Sequence, residues 1–238
     1  MSEVRDGTPT YDAPGFFADS WRLAKKDLLI EFRTRSAFLS ATVFALLSVV
    51  IFRFTWDPTA VSTLDLAPGV LWVIFTFSGL LGLNRSFSVE QADRAMDALL
   101  ASPMSRESVF AGKALANFIF VVAVQSLTLP AVALFFNLPV GAWWISIAGV
   151  ALLSAIGLAA VGTLFAAVAS NTRMAEMLLP MLALPFFVPI VIPAAQATSL
   201  LLSGQPFVDV VSWLKVLLAF DIVFVAACTV AFPYTLEE

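Results

Sequence analysis

Six runs of apolar residues run through this sequence, at about 37–55, 68–83, 114–136, 142–169, 175–193 and 213–232, and they leave it little choice of fold. A helix needs about 20 mainly apolar residues to cross the hydrocarbon core of a bilayer. Inside lipid the backbone has no water to bond, so such runs become helices. The expected fold is all-α: a polytopic membrane protein with six transmembrane helices. The second run is short, and its helix is expected to continue past Asn84 into water. Composition agrees, with 60% apolar and only 13% charged residues. A soluble domain carries roughly 25% charged residues to face water.

The basic residues divide unevenly between the two sides. With both termini cytoplasmic, one side collects Arg5, Arg22, Lys25, Lys26, Arg33, Arg35, Arg85, Arg94, Arg106, Lys113 and Arg173, and the other only Arg53 and Lys215. An excess of Lys and Arg marks the cytoplasmic side. Residues 1–36 are polar and charged, so the first apolar run is expected to act as an uncleaved anchor rather than a signal peptide.

Within that leader, 1–13 reads as a disordered tail and 14–36 as an interfacial helix. Phe17, Trp21, Ala24, Leu28 and Phe32 recur at helical spacing, with Arg22, Lys25, Lys26 and Arg33 off the stripe. This pattern suits a helix lying in the membrane surface with basic residues toward anionic head groups. An ordinary helix packed on the bundle is the alternative.

Between the second and third runs, 88–102 reads as a short amphipathic helix. Ser88 is placed to cap it, and Glu90 suits its positive end. Ala92, Met96, Leu99 and Leu100 form an apolar side, and Glu90, Asp93, Arg94 and Asp97 a charged one. Ser102 before Pro103 stops it. Ser105 then caps the next helix, which enters the third span through Gly112 and Lys113. Such an element suits docking to a cytoplasmic partner, or serves as a plain connection.

Inside the membrane, the fourth run carries Ala151, Ala155, Ala159, Gly162, Ala166 and Ser170 on one smooth face. Small faces let helices approach closely in lipid. The fifth run holds Pro180, Pro185, Pro189 and Pro193. A regular helix is not expected beyond Pro185, and 190–211 reads as an outer re-entrant or surface-lying segment that turns at Gly204. Asp221, near the middle of the sixth run, costs on the order of 3 kcal/mol on insertion scales. It reads either as a protonated acid bonded to a neighbouring helix or as part of a substrate path or subunit contact.

Much chemistry is missing. There is no histidine, hence no usual general base or haem ligand, and the one cysteine, Cys228, has no partner for an internal disulfide. The net charge of -4 includes no basic block suited to nucleic acid. Gly112 and Lys113 suggest a phosphate loop, but Glu107 replaces its first glycine and Ala114 its Ser/Thr. No metal site and no catalytic residue are expected.

The stretches 71–87 (LWVIFTFSGLLGLNRSF), 97–103 (DALLASP) and Gly112-Lys113 resemble the CcmB family, the haem exporter B subunits of bacterial cytochrome c maturation. Residues 26–28 (KDL), 31–35 (EFRTR), 157–163 (GLAAVGT) and 177–180 (MLLP) fit as well, so the resemblance runs from about Lys25 to Glu238. It implies an ABC-2 type permease of the bacterial inner membrane that is not itself an enzyme. ATP would be hydrolysed by a separate CcmA-like ATPase, and haem would be handled by the complex, leaving this chain without a cofactor of its own. CcmC-like and CcmD-like membrane subunits and a CcmE-like haem chaperone would be its partners, with ATP driving release of the loaded chaperone. The helix at 88–102 would then be the coupling helix, with Glu90, Asp93, Arg94, Asp97, Leu99 and Leu100 meeting the ATPase. A homodimer, or one copy beside a different membrane subunit, would complete the transporter. The other readings are an ABC-2 exporter of a lipid, glycan or drug, and a channel or secondary transporter that needs no ATPase.

Overall fold

Leu, Val, Phe and Ala runs long enough to span a bilayer satisfy their backbone only as helices. In the computed structural model every regular element is a helix among the described residues, which are 15–57, 59, 61–92, 104–138, 141, 143–170, 172 and 175–235, with side chains except at 85–92, 175 and 176. In chain order they are α1 (Phe16–Thr34), α2 (Ser36–Thr55), α3 (Thr63–Ala92), α4 (Arg106–Phe135), α5 (Trp143–Ser170), α6 (Ala175–Leu202) and α7 (Phe207–Thr235). Six of them, α2 to α7, are long and apolar enough to cross a membrane. The expected disordered tail at 1–13 lies outside the described residues.

The bundle is built around α5, which touches α3, α4, α6 and α7. Its small residues explain this position. Ala151, Ala155, Ala159, Gly162, Ala166 and Ser170 are all buried, so the smooth face is spent on packing inside this chain. Leu83 of α3 fills the space where a Gly162 side chain would stand. Close approach is the main source of helix cohesion in lipid, where apolar side chains gain nothing by leaving it. At the rim, α2 rests on α3 and α4, and α7 on α5, α6 and α4.

Two long helices depart from the sequence reading. The first is α3, which continues past Asn84 as expected, but runs on through Ser88 to Ala92. Ser88 is therefore inside a helix, not at its cap. Residues 85–92 contain neither Gly nor Pro, so nothing interrupts the backbone ladder there.

The second is α6, one continuous helix over Ala175–Leu202 with all four prolines inside it. The expected break beyond Pro185 and the re-entrant segment at 190–211 are absent. Each proline deletes one donor, but its fixed φ suits a helix. Unwinding would strand several backbone groups in lipid instead of one. Ala194, Ala197 and Thr198 are fully buried, so packing holds the disputed stretch in place. The helix ends in a glycine cap: Gly204 has φ 68, Gln205 N–H donates to Leu200 O at 3.0 Å, and Gly204 N–H donates to Leu201 O at 3.2 Å. The last span then begins at Phe207 instead of about 213.

Candidate functional site

The polar chemistry gathers at the end of the bundle where α1 lies. Gly112 and Lys113, at the start of α4, form its seat. A side chain on Gly112 would stand 2.8 Å from Ser20 O and 2.9 Å from Leu23 Cβ, so only glycine lets α1 come this close. Ser20 Oγ lies 3.1 Å from Ser108 O and 2.8 Å from Phe16 O, and donates into that pair of carbonyls. Lys113 is 0% exposed and its Nζ donates to Asp27 Oδ2 at 3.1 Å; Lys26 Nζ approaches Asp27 Oδ1 at 3.3 Å. Such a sheltered ion pair fixes register, because taking one partner away costs about 3–5 kcal/mol when the remaining charge is buried.

The face of α1 toward α4 is Asp19, Ser20, Leu23 and Ala24. The residues expected at a membrane surface point elsewhere: Phe17, Trp21 and Phe32 are 85%, 56% and 69% exposed. Lys25 and Arg33 are exposed too, and Lys26 is half-buried beside Asp27. The helix thus has a packed face, an aromatic face and a basic face. Ala24, part of the expected apolar stripe, belongs to the packed face.

A single residue joins α1 to α2. Arg35 has φ 53 and ψ 6, and its backbone N–H donates to Glu31 O at 2.6 Å. Glu31 Oε1 accepts the Phe38 N–H at 2.8 Å, so the acid of one helix caps the first turn of the next. Arg35 Nε donates to Phe32 O at 3.3 Å, and its guanidinium lies 5.3 Å from the Phe32 ring centre. Inside this elbow is a cavity of about 520 Å³, bounded by α1, α2, α3 and α4.

At the same end, Ser105 Oγ accepts from Ser108 N–H at 3.2 Å, the cap expected from the sequence. Arg106 Nη1 donates to Pro233 O at 3.2 Å, and the Phe110 and Phe232 rings lie 5.3 Å apart, tying α4 to the end of α7. Of the expected coupling residues, Glu90 is on the last turns of α3. Asp93, Arg94, Asp97, Leu99 and Leu100 lie outside the described residues.

Deeper in the bundle, Asn117 Nδ2 donates to Thr163 Oγ1 at 2.8 Å, and Trp72 Nε1 donates to Thr198 Oγ1 at 3.0 Å. Asp221 is 3% exposed, against Gly157 of α5 and Ile190 of α6. Neither carboxyl oxygen has a hydrogen-bond partner among the described residues, so the expected bond to a neighbouring helix is absent.

Comparison with known proteins gives this arrangement its relatives. Residues 18–238 match the family described as CcmB protein. The chain belongs to the CcmB family. It is 31% identical over 175 residues to heme exporter protein B of Rhodobacter capsulatus, covering 73% of this chain and 79% of that protein. The Paracoccus denitrificans heme exporter protein B is 33% identical over 172 residues, covering 72% and 78%. That of Haemophilus influenzae is 27% identical over 173 residues, covering 73% and 78%. The CcmB match begins at residue 18, so it takes in nearly all of α1 together with the six spans.

Sequence reasoning missed the Asp27–Lys113 pair, the Glu31 cap and the elbow cavity. One signal was available: Asp27 lies between the basic residues of α1 and the apolar stripe, a place where an acid needs a partner. Lys113, weighed only against a phosphate loop, is that partner.

Proposed function

We propose that this CcmB-family chain is the membrane-spanning permease of an ABC-type haem export complex serving cytochrome c maturation. The match to the family over 18–238, joined to a six-span bundle, carries this reading. The relatives' shared name, heme exporter protein B, supplies the substrate class. ATP would enter through a CcmA-like partner, since the sequence has no phosphate loop of its own. CcmC-like and CcmD-like subunits would complete the membrane part, and a haem-loaded CcmE-like chaperone would be released at each cycle.

In this reading the protein lies in the bacterial inner membrane with both termini in the cytoplasm, supported by 11 of 13 basic residues on one side. The α1 end then faces the ATPase. The connection from α3 through 93–103 to Ser105 is the coupling element, and charges at Glu90, Asp93, Arg94 and Asp97 face the partner. Force on that connection reaches α3 and α4 directly, and α1 through the Asp27–Lys113 pair.

The test is purification in mild detergent from native membranes, with bound proteins identified and ATP hydrolysis measured. An ATPase arriving with CcmC-like and chaperone partners is the expected result. An ATPase arriving without them, together with c-type cytochromes that persist on deletion, would make the chain an exporter of another amphiphile. Reversing Glu90, Asp93 and Asp97 in charge should lower hydrolysis; unchanged hydrolysis and assembly in all three would move the coupling contact elsewhere.

A further inference from the structure

The cavity in the α1–α2 elbow has apolar walls and an ionic mouth. Its volume of about 520 Å³ is within the range of sites that enclose a small ligand. Phe38, Ala116, Phe120 and Ala123 belong to its apolar lining, Asp27 and Glu31 to its charged lining, and the exposed Arg35 marks its mouth. The space exists because α3 has glycine at position 82: the Phe120 ring lies where a Gly82 side chain would be. Any larger residue there would push the ring into the cavity.

The two acids of the lining are already engaged. Asp27 receives Lys113 and Lys26, and Glu31 Oε1 receives the Phe38 N–H. Arg35 is different. Only its Nε is used, on Phe32 O, and Nη1 and Nη2 have no hydrogen-bond partner among the described residues. The mouth therefore offers a guanidinium to an anion. A planar guanidinium matches phosphate oxygens in pairs.

Depth narrows the source of that anion. Trp21, exposed along α1, is a residue type that settles at the level of lipid head groups, and the exposed Phe17 and Phe32 suit the apolar face of a helix lying in that interface. On α2, Leu39 lines the cavity and is also 55% exposed, next to exposed Val43 and Leu47, so the cavity wall is continuous with the lipid-facing surface. A ligand entering here comes from the bilayer, tail first. Haem is a poor fit, because none of the lining residues is His, Cys, Met or Tyr and nothing would ligate its iron.

The geometry points to a binding site for one phospholipid of the adjoining leaflet, with an acyl chain in the elbow cavity and its phosphate on Arg35. The site stands apart from haem export and from any ATPase. It would wedge α1 against α2 and keep the elbow open at the membrane surface.

Photocrosslinking tests this on the full chain in lipid nanodiscs, with phosphatidylglycerol carrying a diazirine on one acyl chain. Crosslinks should concentrate on 37–39 and 116–123, well above those on the outer surface of α7. Ala123→Trp should fill the cavity and bring labelling there down to that of the surrounding lipid. Arg35→Gln should weaken it, and Val216→Trp on the exposed side of α7 should leave it unchanged. If Ala123→Trp fails to fold, Arg35→Gln and competition by unlabelled phosphatidylglycerol decide. Labelling of the elbow no stronger than on α7, labelling indifferent to both cavity variants, or displacement by haem or free fatty acid but not by phospholipid would each overturn the site. No ATPase or haem is needed, so failure here leaves the exporter reading standing.

Discussion

Lys113 and Asp27, 86 residues apart in sequence, meet at 3.1 Å with the lysine wholly enclosed. The two sides of the pair differ in shelter. The Asp27 side chain keeps 16% exposure and has Lys26 as a second cation. Asp27→Asn takes a carboxylate from a wholly enclosed ammonium and is expected to lower stability. Lys113→Met leaves an acid that still touches water and Lys26, and should cost less. The double variant should recover part of the loss. Thermal unfolding in one detergent orders the three; equal losses for both single variants would refute the asymmetry.

Asp221 and Gly157 make a second pair with a measurable consequence. Gly157→Ala sets a methyl group against the carboxyl and 2.8 Å from Ile190 Cδ1. Overpacking of this kind typically costs about 1–3 kcal/mol. Asp221→Leu removes a buried carboxyl that has no hydrogen bond among the described residues. It should raise the unfolding temperature. A lower one would mean the carboxyl is bonded in the membrane, and raised stability with lost transport would identify it as a working group.

The side-chain bonds between spans should be worth little each. Asn117→Leu breaks the link from α4 to α5, and Trp72→Phe the link from α3 to α6. Double-mutant cycles with Thr163→Val and Thr198→Val should give couplings of about 0.6 kcal/mol, the average for such bonds in membranes. Couplings above about 1.7 kcal/mol would exceed the range seen for that class.

The continuity of α6 is testable by spin-label accessibility at successive positions of 175–202. Lipid exposure should follow a helical period through Pro185, Pro189 and Pro193, with Ala194 and Ala197 protected throughout. Loss of the period beyond 190, with water access at 194–202, would restore the outer re-entrant segment.

The spans were legible because burial in lipid demands length and apolarity at once, and both are local properties. The Ser105 cap and the small face of α5 were legible for the same reason: each needs only neighbours a few residues away. The prolines of α6 misled because the proline penalty is measured in water, where an unwound turn finds other partners. In a bilayer the unwound state is the costlier one. The elbow was illegible for a different cause. Nothing around Arg35 demands a left-handed residue, since neither Gly nor Asn stands there. The bend follows from Glu31 reaching seven residues ahead to Phe38, together with the anchoring of Asp27 by a lysine two spans later.

The seat of α1 also has a place in time. The helix is made first, but Ser108, Gly112 and Lys113, on which it rests, follow about 86 residues later. At 5–20 residues per second of synthesis that interval is roughly 4–17 s. For that period α1 has its aromatic face available and, of its partners in the bundle, α2 is already made, held through Glu31 and Phe38. The membrane and the elbow with α2 are its early support, and docking on α4 must wait for the third span. A chain stalled between the second and third spans would therefore hold its first helix by lipid and the elbow with α2 but without its seat, and proteolysis of ribosome-bound intermediates should find α1 better protected once Lys113 has emerged.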